Sequence, residues 1–170
     1  SLRGGGGEAY ITVINHAMLE AGRGRRDLQR LAHRLRWGVA NAEALPFDDH
    51  SANFVTIAFG LRNVTDRQAA LHEAYRILKP GGRFLCLEFS HVQSRPLAKL
   101  YDSFSFNILP VMGQVIAGDA DSYRYLAESI RTFPSKEMLA DMFAEAGFAQ
   151  IRVRSLSAGI ACIHSGWKLD

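Results

Sequence analysis

Short apolar runs alternate with stretches of helical periodicity along the first half of the chain. The spacing of apolar residues predicts helices over residues 17–33 and 65–78. The run at 54–59 (FVTIAF) is apolar throughout, so we expect a parallel strand that is buried on both faces. Three further β-branched or apolar runs predict strands, at residues 10–14, 37–40 and 83–88.

The second half begins with an irregular helical region and ends with a hairpin. Residues 96–130 are predicted to be helical with interruptions. Ser135 is the predicted N-cap of a helix that Gly147 ends. Two strands, joined through residues 157–159, predict an antiparallel hairpin over residues 151–156 and 160–167. The whole pattern predicts a doubly wound, mostly parallel α/β sheet closed by this hairpin, in a single domain over residues 1–170.

Composition and charge exclude several classes of protein. The chain is 48% hydrophobic and 22% charged, as expected of a globular protein. Cys86 and Cys162 lie inside apolar runs, without partners at metal-ligand spacing, so we expect no disulfide framework and no metal site. The net charge of +3 comes largely from one arginine-rich stretch. Leu28, Leu31 and Leu35 recur there at helical spacing, so a solvated helix face is favoured over a patch that binds nucleic acid or anionic lipid.

Polar residues follow the predicted strands at the edge where an open α/β sheet binds its ligands. Polar groups clustered at several strand ends indicate a binding site, whereas a single polar residue at one strand end would be weak evidence. The strand ends carry Asn15, Asn41 with Glu43, Arg62 with Asn63, and Glu88 with Ser90.

Six segments carry a resemblance to a known family. They are NAEALPF (41–47), FGLRNVTD (59–66), RILKPGGRFLCLEFS (76–90), YDSFSFNILP (101–110), DSYRYLAESI (121–130) and GIACIHSGWKL (159–169). LKPGG alone is typical of class I methyltransferases in general. The ordered series resembles the ubiquinone/menaquinone C-methyltransferases (UbiE type), and it extends from Tyr10 to the C-terminus.

The resemblance implies a Rossmann-like fold and a reaction. A methyl group would move from S-adenosylmethionine to a ring carbon of a polyprenyl benzoquinol, or of a demethylmenaquinol. A phenol of the ring, with a pKa of roughly 10, must first lose its proton. Such enzymes act in the cytoplasm or the mitochondrial matrix, and the lipid substrate implies peripheral membrane contact and a quinone-biosynthesis complex. The apolar stretch 104–116 is either ordinary core or the lining of a channel for the polyprenyl tail.

By resemblance, Arg62 and Asn63 are the first catalytic candidates, and Tyr101 and Asp102 are further ones. Arg62 stays protonated, so it would stabilise a developing phenolate or polarise a water. The structural alternative is an ion pair with Glu88 that braces the sheet end. Tyr101 and Asp102 are equally well explained by capping and packing.

The resemblance also implies cofactor-binding residues. Asn41 and Ala42 match adenine-side contacts, although Asn41 is also suited to an Asx turn. Ala58 stands where some members carry a contacting serine. His164, within an apolar strand, is expected to be a satisfied core residue.

Two features depart from the family. The family's first strand and the glycine-rich cofactor loop that follows it are missing, and the glycines at 4–7 do not replace them. In this fold class the missing strand would lie in the sheet between the strands at 10–14 and 54–59. Val13 stands where members usually carry an aspartate for the ribose hydroxyls. We therefore expect an N-terminally truncated or altered methyltransferase domain. The alternative is a catalytically impaired scaffold subunit of a quinone-biosynthesis complex.

Overall fold

The computed structural model describes residues 7–24, 28, 30–90 and 120–170, which divide into two compact units. The first unit spans Ser1–Pro46 and the second spans Phe47–Asp170. Each is described by itself below. The division leaves the single domain over residues 1–170 a prediction.

Among its described residues, the first unit contains two strands and a helix. Strand β1 (Ala9–Val13) pairs in parallel with β2 (Leu35–Val39), and helix α1 (His16–Arg23) follows β1. Asn15 caps α1 by accepting a hydrogen bond from the Ala17 amide at 2.8 Å. The prediction that this helix continues to residue 33 is wrong in its described part, because Gly24 ends α1 and a 3₁₀ turn occupies Ala32–Arg34.

The second unit is built on a four-stranded mixed sheet with the order β3-β4-β6-β5. Strands β3 and β4 are parallel, whereas β6 is antiparallel to both of its neighbours. This arrangement confirms the α/β class and the C-terminal hairpin. In chain order the elements are β3 (Ala52–Ala58), α2 (Arg67–Ile77), β4 (Leu78–Phe89), α3 (Ala120–Thr132), α4 (Lys136–Glu145), β5 (Ala149–Leu156) and β6 (Ala161–Trp167).

An aromatic cluster joins α4 to one face of this sheet. Phe84 of β4 stacks on Phe143 of α4, with ring centroids 5.2 Å apart, and Phe148 lies 5.4 Å from both rings. Leu139 and Phe143 are fully buried on the same helix. Burial of these side chains supplies much of the driving force that fixes β4, β6 and α4 against each other.

The helix termini follow the local sequence. Ser135 caps α4 by accepting from the Met138 amide at 3.2 Å, as predicted. Gly147 ends the helix region with a φ of 97°, which a residue with a side chain rarely adopts. Asp66 caps α2 through the Ala69 amide at 2.9 Å. At the other end of α2, Lys168 donates to the carbonyl of Tyr75 at 3.0 Å.

The prediction that β3 is buried on both faces is wrong. Phe54 is 63% exposed, and Thr56 and Ala58 are also exposed. The reason is that β3 pairs only with β4 in the described sheet and forms its edge. An apolar run indicates that a strand favours a buried position, whereas its actual burial depends on which elements cover it.

Candidate functional site

The turn after β3 presents two polar side chains at the carboxyl end of the parallel pair β3–β4. Phe59 adopts a φ of 52°, and a 3₁₀ turn then covers Leu61–Asn63. Leu61 is almost fully buried, so it anchors the turn in the core. A positive φ at an aromatic residue is uncommon and marks a constrained backbone. The constrained backbone determines the positions from which the side chains of Arg62 and Asn63 extend.

Arg62 is held by Glu88, which stands near the end of β4. Nη1 of Arg62 donates to Oε2 of Glu88 at 3.1 Å, and the Arg62 amide donates to Oε1 at 3.2 Å. The Glu88 side chain is 1% exposed and that of Arg62 is 12% exposed. The guanidinium also lies 5.4 Å from the centroid of the Phe89 ring. The structural alternative for Arg62, an ion pair that braces the sheet end, is therefore present.

This ion pair does not use every donor of Arg62. Nε of Arg62 is buried and has no hydrogen-bond partner among the residues that the structure describes. An unpaired buried donor is costly, and the other contacts of the side chain must offset that cost. The hydrogen bond to Glu88 and the contact with the Phe89 ring hold the guanidinium at the end of the strands, which is compatible with the predicted role in stabilising negative charge.

Asn63 contacts a residue that sequence reasoning did not select. The Tyr125 hydroxyl, on α3, donates to Oδ1 of Asn63 at 3.0 Å. Tyr125 lies within the DSYRYLAESI motif, but the motif alone does not indicate which side of the helix faces the site. Only the packing of α3 against the turn at 61–63 brings these two residues together. Tyr101 and Asp102 lie outside the described residues.

His164 and the cysteines belong to the core. Nε2 of His164 lies 2.8 Å from the carbonyl oxygen of Lys136, to which it donates, and burial lowers the pKa of this histidine. This placement agrees with the expectation of a core histidine, but the residue is not fully satisfied, because Nδ1 is buried and has no hydrogen-bond partner within the described part of the chain. Cys86 and Cys162 are both buried free thiols, and burial raises the pKa of Cys86.

Comparison with known proteins decides the family. The sequence model of the ubiE/COQ5 methyltransferase family matches residues 3–168. The chain belongs to this family. It is 52% identical over 167 residues to the ubiquinone/menaquinone biosynthesis C-methyltransferase UbiE of Cereibacter sphaeroides, covering 98% of this chain and 67% of that protein. It is also 52% identical over 165 residues to the human mitochondrial 2-methoxy-6-polyprenyl-1,4-benzoquinol methylase, covering 97% of this chain and 50% of that protein.

Solved structures support the fold. A SAM-dependent methyltransferase of Thermotoga maritima superposes with a TM-score of 0.65 at 22% identity, covering 94% of this chain and 72% of that one. At this identity the likeness shows the methyltransferase fold alone. It agrees with the predicted Rossmann-like class.

The residues that the resemblance implies for binding the methyl donor are described here unit by unit. In the first unit, Oδ1 of Asn41 accepts from the Glu43 amide at 3.1 Å, which is the Asx turn named as the alternative. Its amide nitrogen donates no hydrogen bond among the described residues. Ala42 is half-buried beside it, and Val13, half-buried at the end of β1, offers no polar side-chain atom. In the second unit, Ala58 is exposed at the end of β3.

Proposed function

We propose that this chain transfers a methyl group from S-adenosylmethionine to a ring carbon of a polyprenyl benzoquinol in ubiquinone biosynthesis, or of a demethylmenaquinol. The observation that carries the proposal is the fixed Arg62 guanidinium at the end of β3–β4, in a chain of which 98% aligns with a quinone C-methyltransferase. The human relative, whose name specifies a 2-methoxy-6-polyprenyl-1,4-benzoquinol, favours the benzoquinol substrate.

The chemistry requires negative charge on the ring. A ring carbon becomes a competent nucleophile when a phenol oxygen loses its proton, and that phenol has a pKa of roughly 10 in water. A donor fixed beside the oxygen stabilises the phenolate and lowers this cost. Arg62 remains protonated, so it supplies the positive charge and leaves the proton to water or to another base. Bound S-adenosylmethionine supplies an electrophilic methyl group next to the ring.

Some residues suit the methyl donor better than others. The free amide N–H groups of Asn41 fit an acceptor on a purine edge, and Ala42 and Ala58 present small apolar surfaces. Val13 cannot bind ribose hydroxyls through its side chain, and loss of such a contact costs about 1–3 kcal/mol. We therefore expect the chain to bind S-adenosylmethionine more weakly than a relative with a carboxylate at that position, by roughly tenfold or more.

The test is methyl transfer measured with isotopically labelled S-adenosylmethionine and a short-tailed 2-methoxy-6-polyprenyl-1,4-benzoquinol. Product is expected with the unaltered chain, and its amount should fall at least about 100-fold in Arg62→Gln. The matched control is Asp49→Asn, which removes an exposed carboxylate that pairs with Arg76 near the carboxyl end of α2, and it should leave the rate unchanged. A cooperatively folded chain that binds no S-adenosylmethionine in a calorimetric titration would instead support a scaffold subunit.

Location and membrane contact complete the proposal. No helix among the described residues is long and apolar enough to cross a membrane. We infer that the protein acts in the cytoplasm or the mitochondrial matrix and meets the substrate's tail at the membrane surface. Co-sedimentation with vesicles that contain the polyprenyl quinol, compared with vesicles that lack it, tests this contact.

A further inference from the structure

Tyr125 contacts the candidate site through a hydrogen bond. Its hydroxyl donates to Oδ1 of Asn63 at 3.0 Å, although 62 positions separate the two residues. Tyr125 is 57% exposed, so its ring contributes modestly to the core. A largely exposed tyrosine whose hydroxyl is directed at a candidate catalytic amide is better explained by that hydrogen bond than by packing.

The hydrogen bond determines which end of the Asn63 amide faces outward. An asparagine side chain has an oxygen that only accepts and a nitrogen that only donates. Because Oδ1 faces Tyr125, the two N–H groups of Nδ2 point away from it. Nδ2 donates no hydrogen bond among the described residues, and Asn63 is exposed. No other hydrogen bond among the described residues holds this side-chain amide.

We propose that Tyr125 is a positioning residue that orients the Asn63 amide, so that its N–H groups donate to the ring oxygen that becomes a phenolate. This inference rests on the proposed function, because the phenolate belongs to that reaction. Donors that are already aligned stabilise developing charge without reorganising during the reaction. Arg62 would supply charge at the oxygen, and Asn63 would supply a directed neutral hydrogen bond.

The geometry favours this assignment over a direct catalytic role for Tyr125. A hydroxyl that donates to Oδ1 cannot donate the same proton to substrate. The effect of removing it should therefore pass through Asn63. Removing the Tyr125 hydroxyl should also weaken the stabilisation of the phenolate, and the pKa of the bound phenol should therefore rise.

The experiment compares Tyr125→Phe with Tyr75→Phe. Tyr75 also donates to an exposed side chain, Asp170 at 2.9 Å, but at the amino end of β4, so it is a matched control. We expect Tyr125→Phe to melt at the wild-type temperature and to lose about fivefold to tenfold in kcat, the equivalent of one hydrogen bond. The acid limb of its kcat–pH profile should move to higher pH. Tyr75→Phe should match wild type in kcat and in the kcat–pH profile.

A second pair of variants tests whether Tyr125 acts through Asn63. Adding Tyr125→Phe to Asn63→Ala should change kcat by less than about twofold, because the amide to be oriented is gone. The side-chain amide signals of Asn63, identified as the pair lost in Asn63→Ala, should broaden or shift in Tyr125→Phe. This nuclear magnetic resonance measurement does not depend on turnover.

Each outcome supports or overturns the inference. Wild-type kcat and an unmoved pH profile in Tyr125→Phe overturn it. An equal loss in the wild-type and Asn63→Ala backgrounds also overturns it, because Tyr125 then acts independently. If the unaltered chain methylates no 2-methoxy-6-polyprenyl-1,4-benzoquinol, the proposed function fails and this inference fails with it. An active wild type with an unaffected Tyr125→Phe sinks the inference alone.

Discussion

Replacing Glu88 by glutamine should destabilise this protein strongly. The carboxylate accepts three hydrogen bonds among the described residues. Two come from Nη1 and the backbone amide of Arg62, and the third comes from the backbone amide of the next residue, Phe89. It is 1% exposed, so water cannot replace an acceptor that is lost. Glutamine has nearly the same shape, which makes the change one of charge and acceptor number. The variant therefore isolates the electrostatic contribution of this carboxylate.

The expected cost follows from the groups that lose partners. One glutamine oxygen replaces two carboxylate oxygens, so at least one buried N–H is left unpaired, at about 1–3 kcal/mol. The Arg62 charge also loses its counter-ion, although its side chain is 12% exposed and water screens part of the loss. We expect a decrease of about 2–4 kcal/mol in the free energy of unfolding. That is a large share of the 5–15 kcal/mol typical of a whole protein.

Urea denaturation, followed by circular dichroism, measures the change. With a dependence of about 2 kcal/mol per molar urea, the midpoint should fall by about 1–2 M while the slope stays constant. Asp49→Asn is the matched control. It also removes a carboxylate from an ion pair with an arginine, Arg76, but the Asp49 side chain is 65% exposed. Its midpoint should move much less. Combining Glu88→Met with Arg62→Met should recover part of the loss, because no unpaired charge then remains buried.

A Glu88→Gln midpoint indistinguishable from wild type would refute this reasoning. It would mean that the guanidinium finds other partners or water when the carboxylate is neutral. A midpoint that fell equally in Asp49→Asn would refute it too, because burial would then not decide the cost.

Three further predictions concern the rest of the second unit. Burial lowers the pKa of His164, so folding favours its neutral form. The contribution of His164 to stability should be complete above the unfolded pKa of about 6.5 and be lost as pH falls through the folded pKa. Thermal melts of wild type and His164→Phe across pH 5–8 would detect this dependence. Lys168→Met should cost about 1.5–3 kcal/mol in urea denaturation, because it removes an ammonium that binds the last carbonyls of α2. Gly166→Ala should cost about 1–3 kcal/mol, since its new Cβ would lie 2.7 Å from Cβ of Phe148, whereas Gly38→Ala, with no atom within 4 Å, should cost far less on that account.

Features that depend on a few adjacent residues could be predicted from the sequence. Ser135 and Gly147 bound helix α4 as expected, because a cap needs only the residues within one helical turn. The hairpin of β5 and β6 was equally local. The Arg62–Glu88 pair was named as an alternative because both residues follow neighbouring strands.

Features that depend on distant neighbours could not be predicted. The exposure of Phe54 depends on which strand lies beside β3, which the apolar run itself does not reveal. The contact between Tyr125 and Asn63 depends on how α3 packs against the turn at 61–63. Helical periodicity identifies an apolar face, but it does not identify the polar residue at the edge of that face that reaches a turn.

The topology of the sheet explains why the polar groups collect at one edge. Parallel strands β3 and β4 both end there, so the turn at 61–63 and Glu88 are neighbours by construction. Antiparallel β6 begins at the same edge, where the Ser90 amide donates to the carbonyl of Ile160 at 2.9 Å and ties down the chain after β4. The buried Glu88 carboxylate accepts hydrogen bonds from both Nη1 and the amide of Arg62 at this edge. Under the proposed function, the ion pair that stabilises the fold also positions the guanidinium for the phenolate, so Glu88→Gln should lower both stability and methyl transfer.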